Sequence, residues 1–162
     1  MASKRIERLR DKLLARGRPT MYPSLSPSPS PELEALAERV RPFAEVMYLV
    51  LATDSKITEN ERNVLRGALR SLTEDALSTS ALDTMLADFE QLRERQGLEV
   101  RLDYLASQLY SDRADAKLAL GLATAAADSD AGIGPEERAV IEALAERLRI
   151  SDEELQALLS ED

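Results

Sequence analysis

The chain is 162 residues long, 44% hydrophobic and 31% charged, which suits one globular domain with a single buried core. Having neither Cys nor His, it can form no disulfide, thiolate metal site or imidazole base, and only oxygen ligands remain for a hard cation such as Ca²⁺ or Mg²⁺. The formal charge of −9 is uneven: residues 1–18 carry seven basic and two acidic groups, so this tail is +5 and the remainder −14. An acidic body disfavours nucleic acid, whereas a basic tail suits anionic lipid or an acidic partner. No apolar run is long enough to span a bilayer and the start lacks a secretory apolar stretch, so the expected compartment is cytoplasmic, with peripheral membrane contact through the tail as an option.

Residues 1–18 place Ile6, Leu9, Leu13 and Leu14 at helical spacing among basic residues, a short basic amphipathic helix. Arg5, Arg8, Leu9, Lys12 and Leu13 are its candidate partner-binding residues, for a protein partner or an anionic membrane surface. Residues 19–31 form a Pro/Ser linker with Ser26-Pro27, Ser28-Pro29 and Ser30-Pro31 in succession, an extended spacer that sets the tail apart from a body over 32–162.

The body reads as all-α. Ser30-Pro31-Glu32 starts a first helix reaching about Val40, and Pro42 begins a second, apolar on most sides through Leu51. Thr58 and Glu61 make a capping box for a third helix to Leu72. Ser80 opens a fourth, striped by Leu82, Met85, Leu86 and Phe89 and ending before Gly97. Leu98, Leu102, Leu105 and Leu109 mark a fifth. Leu118–Ala127 is a nearly wholly apolar sixth, Pro135-Glu136-Glu137 opens a seventh, and Ser151 with Glu154 caps a short last one. That gives a compact bundle of seven to eight helices with no strand signal. Tyr48, Tyr104 and Tyr110 fall on apolar helical faces and are expected in the core or at its edge.

A shift of 76 positions superposes Asp54 on Asp130, Ile57 on Ile133, Glu61 on Glu137, Arg62 on Arg138, Val64 on Val140, Leu65 on Ile141 and Leu72 on Leu148. Each copy is an apolar helix, an acidic turn and an amphipathic helix, so the bundle consists of two pseudo-symmetric repeats. If the apolar helices pack together, both acidic turns reach one end of the bundle.

Asp54, Glu61, Asp130 and Glu137 are then the candidate metal ligands, because gathered carboxylates repel one another unless a cation intervenes. The competing structural role is capping: Glu61 and Glu137 stand at the third helical position, while Asp54 and Asp130 can bind turn amides. An EF-hand is excluded. Counted from Asp128, Ile133 stands where the loop needs glycine and Ala139 where it needs glutamate; counted from Asp130, Gly132 and Gly134 occupy ligand positions. Catalysis is not expected, since the chain has no phosphate-binding glycine loop, no nucleophile elbow, and neither His nor Cys to activate a hydroxyl.

The run Ala125-Ala126-Ala127-Asp128-Ser129-Asp130-Ala131-Gly132-Ile133-Gly134-Pro135-Glu136-Glu137-Arg138, followed by Leu144, Leu148, Ile150, Ser151 and Glu154, resembles the tellurite-resistance TerB-like family. The resemblance covers about residues 32–160. It implies an all-helical fold of two pseudo-symmetric halves and a non-enzymatic role in stress or tellurite resistance, in membrane-linked complexes, or beside co-chaperone domains. Acidic residues are proposed metal ligands in that family; by position they are Asp54, Glu61, Asp130 and Glu137 here. The first turn departs from the pattern at Ser55-Lys56, where a glycine is lost and a neutralising cation gained.

The expected function is a non-catalytic interaction module, stress-related or envelope-associated, recruiting partners through its basic tail or acidic face, with Ca²⁺ or Mg²⁺ binding as an addition and no other cofactor. A Ca²⁺-responsive regulatory protein is the alternative reading, and a small-molecule-processing enzyme the third.

Overall fold

The computed structural model describes residues 6, 8–10, 30–53, 57–128 and 132–160. Among them the body has seven helices: α1 (Ser30–Leu51), α2 (Glu59–Leu72), α3 (Thr79–Gln96), α4 (Leu98–Leu109), α5 (Arg113–Asp128), α6 (Pro135–Arg147) and α7 (Asp152–Ser160). No strand occurs among the described residues.

The centre is the pair α1 and α5, which share the most extensive contact of any two helices. Every residue of α1 from Phe43 onward is buried, and α5 is buried without a break from Leu118 to Ala127. The two are complementary in size. Phe43, Met47 and Tyr48 of α1 supply bulk, while the alanines of α5 let its backbone come close, as dense packing requires.

One expected boundary is absent. Pro42 lies inside α1 and does not separate two helices, so eight expected body helices become seven. A proline inside a helix costs about 3 kcal/mol through its missing N–H and its ring clash. Burying a large apolar side chain returns about 1.5–3 kcal/mol, and Val40, Phe43, Val46 and Met47 flank the break with at most 1% exposure each. Packing on both sides of Pro42 therefore outweighs the local defect.

The other starts follow their caps. Thr58 Oγ1 accepts from the Glu61 amide at 3.1 Å at the head of α2, and Ser151 Oγ accepts from the Glu154 amide at 3.2 Å at the head of α7. α3 begins slightly before the expected Ser80, because Ser78 Oγ takes the Ala81 amide at 3.1 Å. Tyr48 is buried as expected, but Tyr104 and Tyr110 are 48% and 50% exposed and serve as platforms for the guanidinium groups of Arg101 and Arg149.

Charged pairs fix the outer helices on this centre. Glu45 of α1 and Arg101 of α4 form a buried two-bond pair, both at 2.7 Å, with Arg101 also donating to Gln96 at 3.0 Å. Arg147 of α6 reaches Asp103 at 2.6 Å and Glu99, both on α4. Glu154 of α7 takes Arg113 and, at 2.9 Å, Lys117 of α5. Arg39 and Asp115 pair at 3.3 Å, and these positions are themselves 76 apart.

The basic tail is not wholly set apart. Residues 6 and 8–10 are helical, and Ile6 and Leu9 are buried in the same apolar core as α1 and α5. No described helix is long and apolar enough to cross a membrane.

Candidate functional site

α2 begins at Glu59 and α6 at Pro135, 76 residues apart, and the heads of both helices open onto one cleft of about 600 Å³. Its floor is apolar, formed by Leu51 and Ala127 at the ends of α1 and α5 together with Val64 and Ala126. Its rim carries Glu61, Glu136 and Glu137, with no Lys or Arg among the described residues that line it. Ile57 and Ile133, just before the helix heads, are half-buried and packed on the core.

The two helix heads use their glutamates alike but not equally. Glu61 Oε1 accepts from the Thr58 amide at 2.8 Å while Thr58 Oγ1 accepts from the Glu61 amide, a complete reciprocal cap. Glu137 Oε1 accepts from the Gly134 amide at 2.9 Å, but glycine has no oxygen to return the bond, so α6 has half a cap. A Cβ at position 134 would stand 3.3 Å from that same Oε1, which is tight for any larger residue. In both glutamates Oε2 takes no hydrogen bond among the described residues.

The cations nearest in sequence are engaged elsewhere. Arg62 lies 4.0 Å from Glu90 on α3, and Arg138 pairs with Glu142 one turn along its own helix at 3.4 Å. Glu59 is taken by Arg66 at 3.6 Å. The glutamates on the rim thus keep their charge uncompensated by neighbouring arginines.

Behind the first turn, the Arg93 guanidinium reaches the Thr53 carbonyl at 3.5 Å and ties the end of α1 to α3. Arg93 Nε and the Tyr48 hydroxyl are buried without a hydrogen-bond partner among the described residues. Burial, reinforced by the Glu90 carboxylate, pushes the Tyr48 hydroxyl up to about 12, so it stays protonated throughout the physiological range. Neither group was signalled by the sequence, where both look like ordinary residues on amphipathic helices.

Of the four expected metal ligands, Glu61 and Glu137 are brought to the same cleft, and Asp54 and Asp130 lie outside the described residues. The described residues alone do not make a cation cage. They gather no group of three carboxylates at metal-binding spacing, whereas Ca²⁺ takes about six to eight oxygens. Of the expected partner-binding residues, Arg8 is exposed, Leu9 is buried against the body, and Arg5, Lys12 and Leu13 lie outside the described residues.

No curated protein and no solved structure matches the chain. One family does. The description tellurite resistance protein TerB matches residues 42–159, from Pro42 inside α1 to Leu159 in α7, and so takes in both repeats and the cleft between their turns. With a match over well more than half its length on an all-helical fold, the chain belongs to the tellurite resistance protein TerB family.

Proposed function

We propose that this TerB-family protein is a non-catalytic interaction module whose acidic cleft between α2 and α6 receives a basic segment of a partner protein, in a stress-related or envelope-associated assembly at the cytoplasmic side. The observation that carries the reading is the rim of Glu61, Glu136 and Glu137 over an apolar floor, with Arg62 and Arg138 turned to other carboxylates. Charge at the rim steers and selects a cationic partner, and the floor of Leu51, Val64, Ala126 and Ala127 supplies apolar contact. The basic tail is the second route to a partner. Burial of Leu9 favours the cleft over the tail, because the apolar side of the tail is already engaged.

The test is a triple substitution, Glu61→Gln, Glu136→Gln and Glu137→Gln. It removes the charge and leaves an acceptor oxygen at positions 61 and 137 to cap the helices, so the domain should fold and lose its partner. Retention of the partner by the folded triple variant would refute the reading.

A divalent cation is the second reading, favoured by the two Oε2 atoms left outside the caps on one cleft. Asp54 and Asp130 would have to complete the ligand set with Glu61 and Glu137, and a bound Ca²⁺ or Mg²⁺ would hold the two acidic turns together. A cation that binds only the folded state raises apparent stability. Thermal melts in millimolar Ca²⁺, Mg²⁺ and EDTA check this; an unchanged midpoint removes the cation and leaves the partner reading standing.

A further inference from the structure

We propose that residues 6 and 8–10 belong to a latch, docked within the same chain in a notch at Gly121 between α5 and α7, so that the apolar side of the basic tail and the notch conceal each other until the latch opens. Gly121 is buried mid-way along α5, a position where glycine is a poor helix former. Its backbone is not in the left-handed region, so no turn requires glycine there. A Cβ at 121 would meet Leu9 Cδ2 at 3.4 Å, Leu9 Cδ1 at 3.7 Å and Leu158 Cδ2 at 4.0 Å. The space a side chain would occupy is therefore filled by Leu9 and Leu158. Gly67 in α2 is a control within the molecule: a Cβ there would meet nothing within 4 Å, so no neighbour uses that absence.

The repeat sharpens the point. Under the 76-residue shift Gly121 corresponds to Glu45, which α4 covers with Arg101. The same place on the two central helices is thus closed by an ion pair in one half and by the N-terminal segment in the other. Ile6 and Leu9, at 3% and 8% exposure, are spaced i, i+3 and share the buried side of their turn, while Arg8 between them is exposed. Of the +5 tail and the −14 remainder, opposite charge favours docking.

Tethering decides between this chain and a second copy as the source of the segment. A docking segment joined to its own site by a short connection meets it at an effective concentration on the order of millimolar. Two separate chains at micromolar concentration cannot match that, so the contact forms within one chain. Two apolar side chains make a contact strong enough to close under those terms and weak enough for a competing partner to displace. Opening releases the basic tail and the Gly121 notch together, so tail-borne recruitment is controlled by a contact remote from the acidic cleft.

The chain has no native cysteine, so two can be introduced cleanly into the full-length protein. Arg10→Cys with Ala157→Cys, which flank Leu9 and Leu158 and leave both leucines in place, treated with a short bismaleimide at micromolar protein, should give a cyclised monomer. Arg10→Cys with Ala87→Cys, the latter exposed on α3, should not. Cross-linked dimers in place of the cyclised monomer, or equal yields from both pairs, would overturn the proposal. In parallel, Gly121→Leu fills the notch, and Leu9→Glu spoils the occupant without touching the body helices. Each should speed tryptic cleavage after Arg8 and Arg10 on the order of tenfold or more, the population change expected from one lost leucine burial. Unchanged cleavage in the Leu9→Glu protein would overturn the latch even if Gly121→Leu failed to fold.

Discussion

The half-cap at α6 leaves Glu137 as the one side-chain cap at its helix head among the described residues, whereas Glu61 shares its helix head with Thr58. In Glu137→Ala, α6 loses the bond from the Gly134 amide, about 1 kcal/mol, and a carboxylate at the positive end of its dipole, about 0.5 kcal/mol, with nothing left at its head. The cost is about 1.5 kcal/mol. In Glu61→Ala the same two contributions go, so the cost is again about 1.5 kcal/mol, although Thr58 Oγ1 still accepts the amide of residue 61 and α2 keeps half its box. Glu137→Gln and Glu61→Gln keep an acceptor oxygen and lose only the charge, about 0.5 kcal/mol each. Urea unfolding followed by circular dichroism reads the series. With a slope of about 2 kcal/mol/M, Glu137→Ala should lower the midpoint by about 0.7 M and the Gln variants by about 0.2 M, at unchanged slope. If Gln costs as much as Ala at either position, the capping account of these residues is refuted.

Removing one member of the buried Glu45–Arg101 pair should cost about 3–5 kcal/mol, because an uncompensated charge remains at a site 2% exposed. Glu45→Met together with Arg101→Met should recover most of that loss in the same unfolding assay, and a double variant as unstable as the sum of the singles would contradict it. Tyr48→Phe removes a buried hydroxyl that has no partner among the described residues and should leave stability unchanged or raise it by up to about 1 kcal/mol; a clear loss would mean that the hydroxyl is satisfied in solution. Lys117, the Ser151 amide and Arg113 hold the Glu154 carboxyl down from 4.5 to about 2. A carboxyl depressed on folding stabilises fully above its unfolded value and loses that contribution as pH falls from about 4.5 to about 2. Glu154→Gln should therefore flatten the acid limb of the stability curve in that window, most visibly at low salt, and an unaltered limb would refute the assignment.

Much of the fold is legible because its signals are local and mutually consistent. Thr58 with Glu61, Ser151 with Glu154, and Pro135 at a helix start each describe a cap that can be read from four consecutive residues, and the structure builds all three. Pro42 misleads for the opposite reason: its local preference is to end a helix, and only the burial of Val40 and Phe43 on a partner helix reveals why it does not. Tyr104 and Tyr110 mislead because periodicity identifies a face without saying what covers it.

The cleft was half legible. The repeat shift places Glu61 and Glu137 at equivalent helix heads, and α1 packing on α5 then brings those heads together. What sequence could not supply is where Arg62 and Arg138 turn, since their partners Glu90 and Glu142 depend on helix orientation. Gly121 carried a readable signal, a lone glycine in an alanine-rich helix, but its occupant lies more than a hundred residues earlier in the chain.

On the proposed reading, charge on the rim of the cleft recognises a basic partner. The most direct measurement of this is quantitative capture from a lysate of the native host, comparing the wild-type protein with the Glu61→Gln, Glu136→Gln, Glu137→Gln variant at matched folded fraction and at two salt concentrations. The expected result is a partner that the wild type retains at low salt and releases as salt rises, and that the variant does not retain at all. Equal capture by both proteins would contradict it.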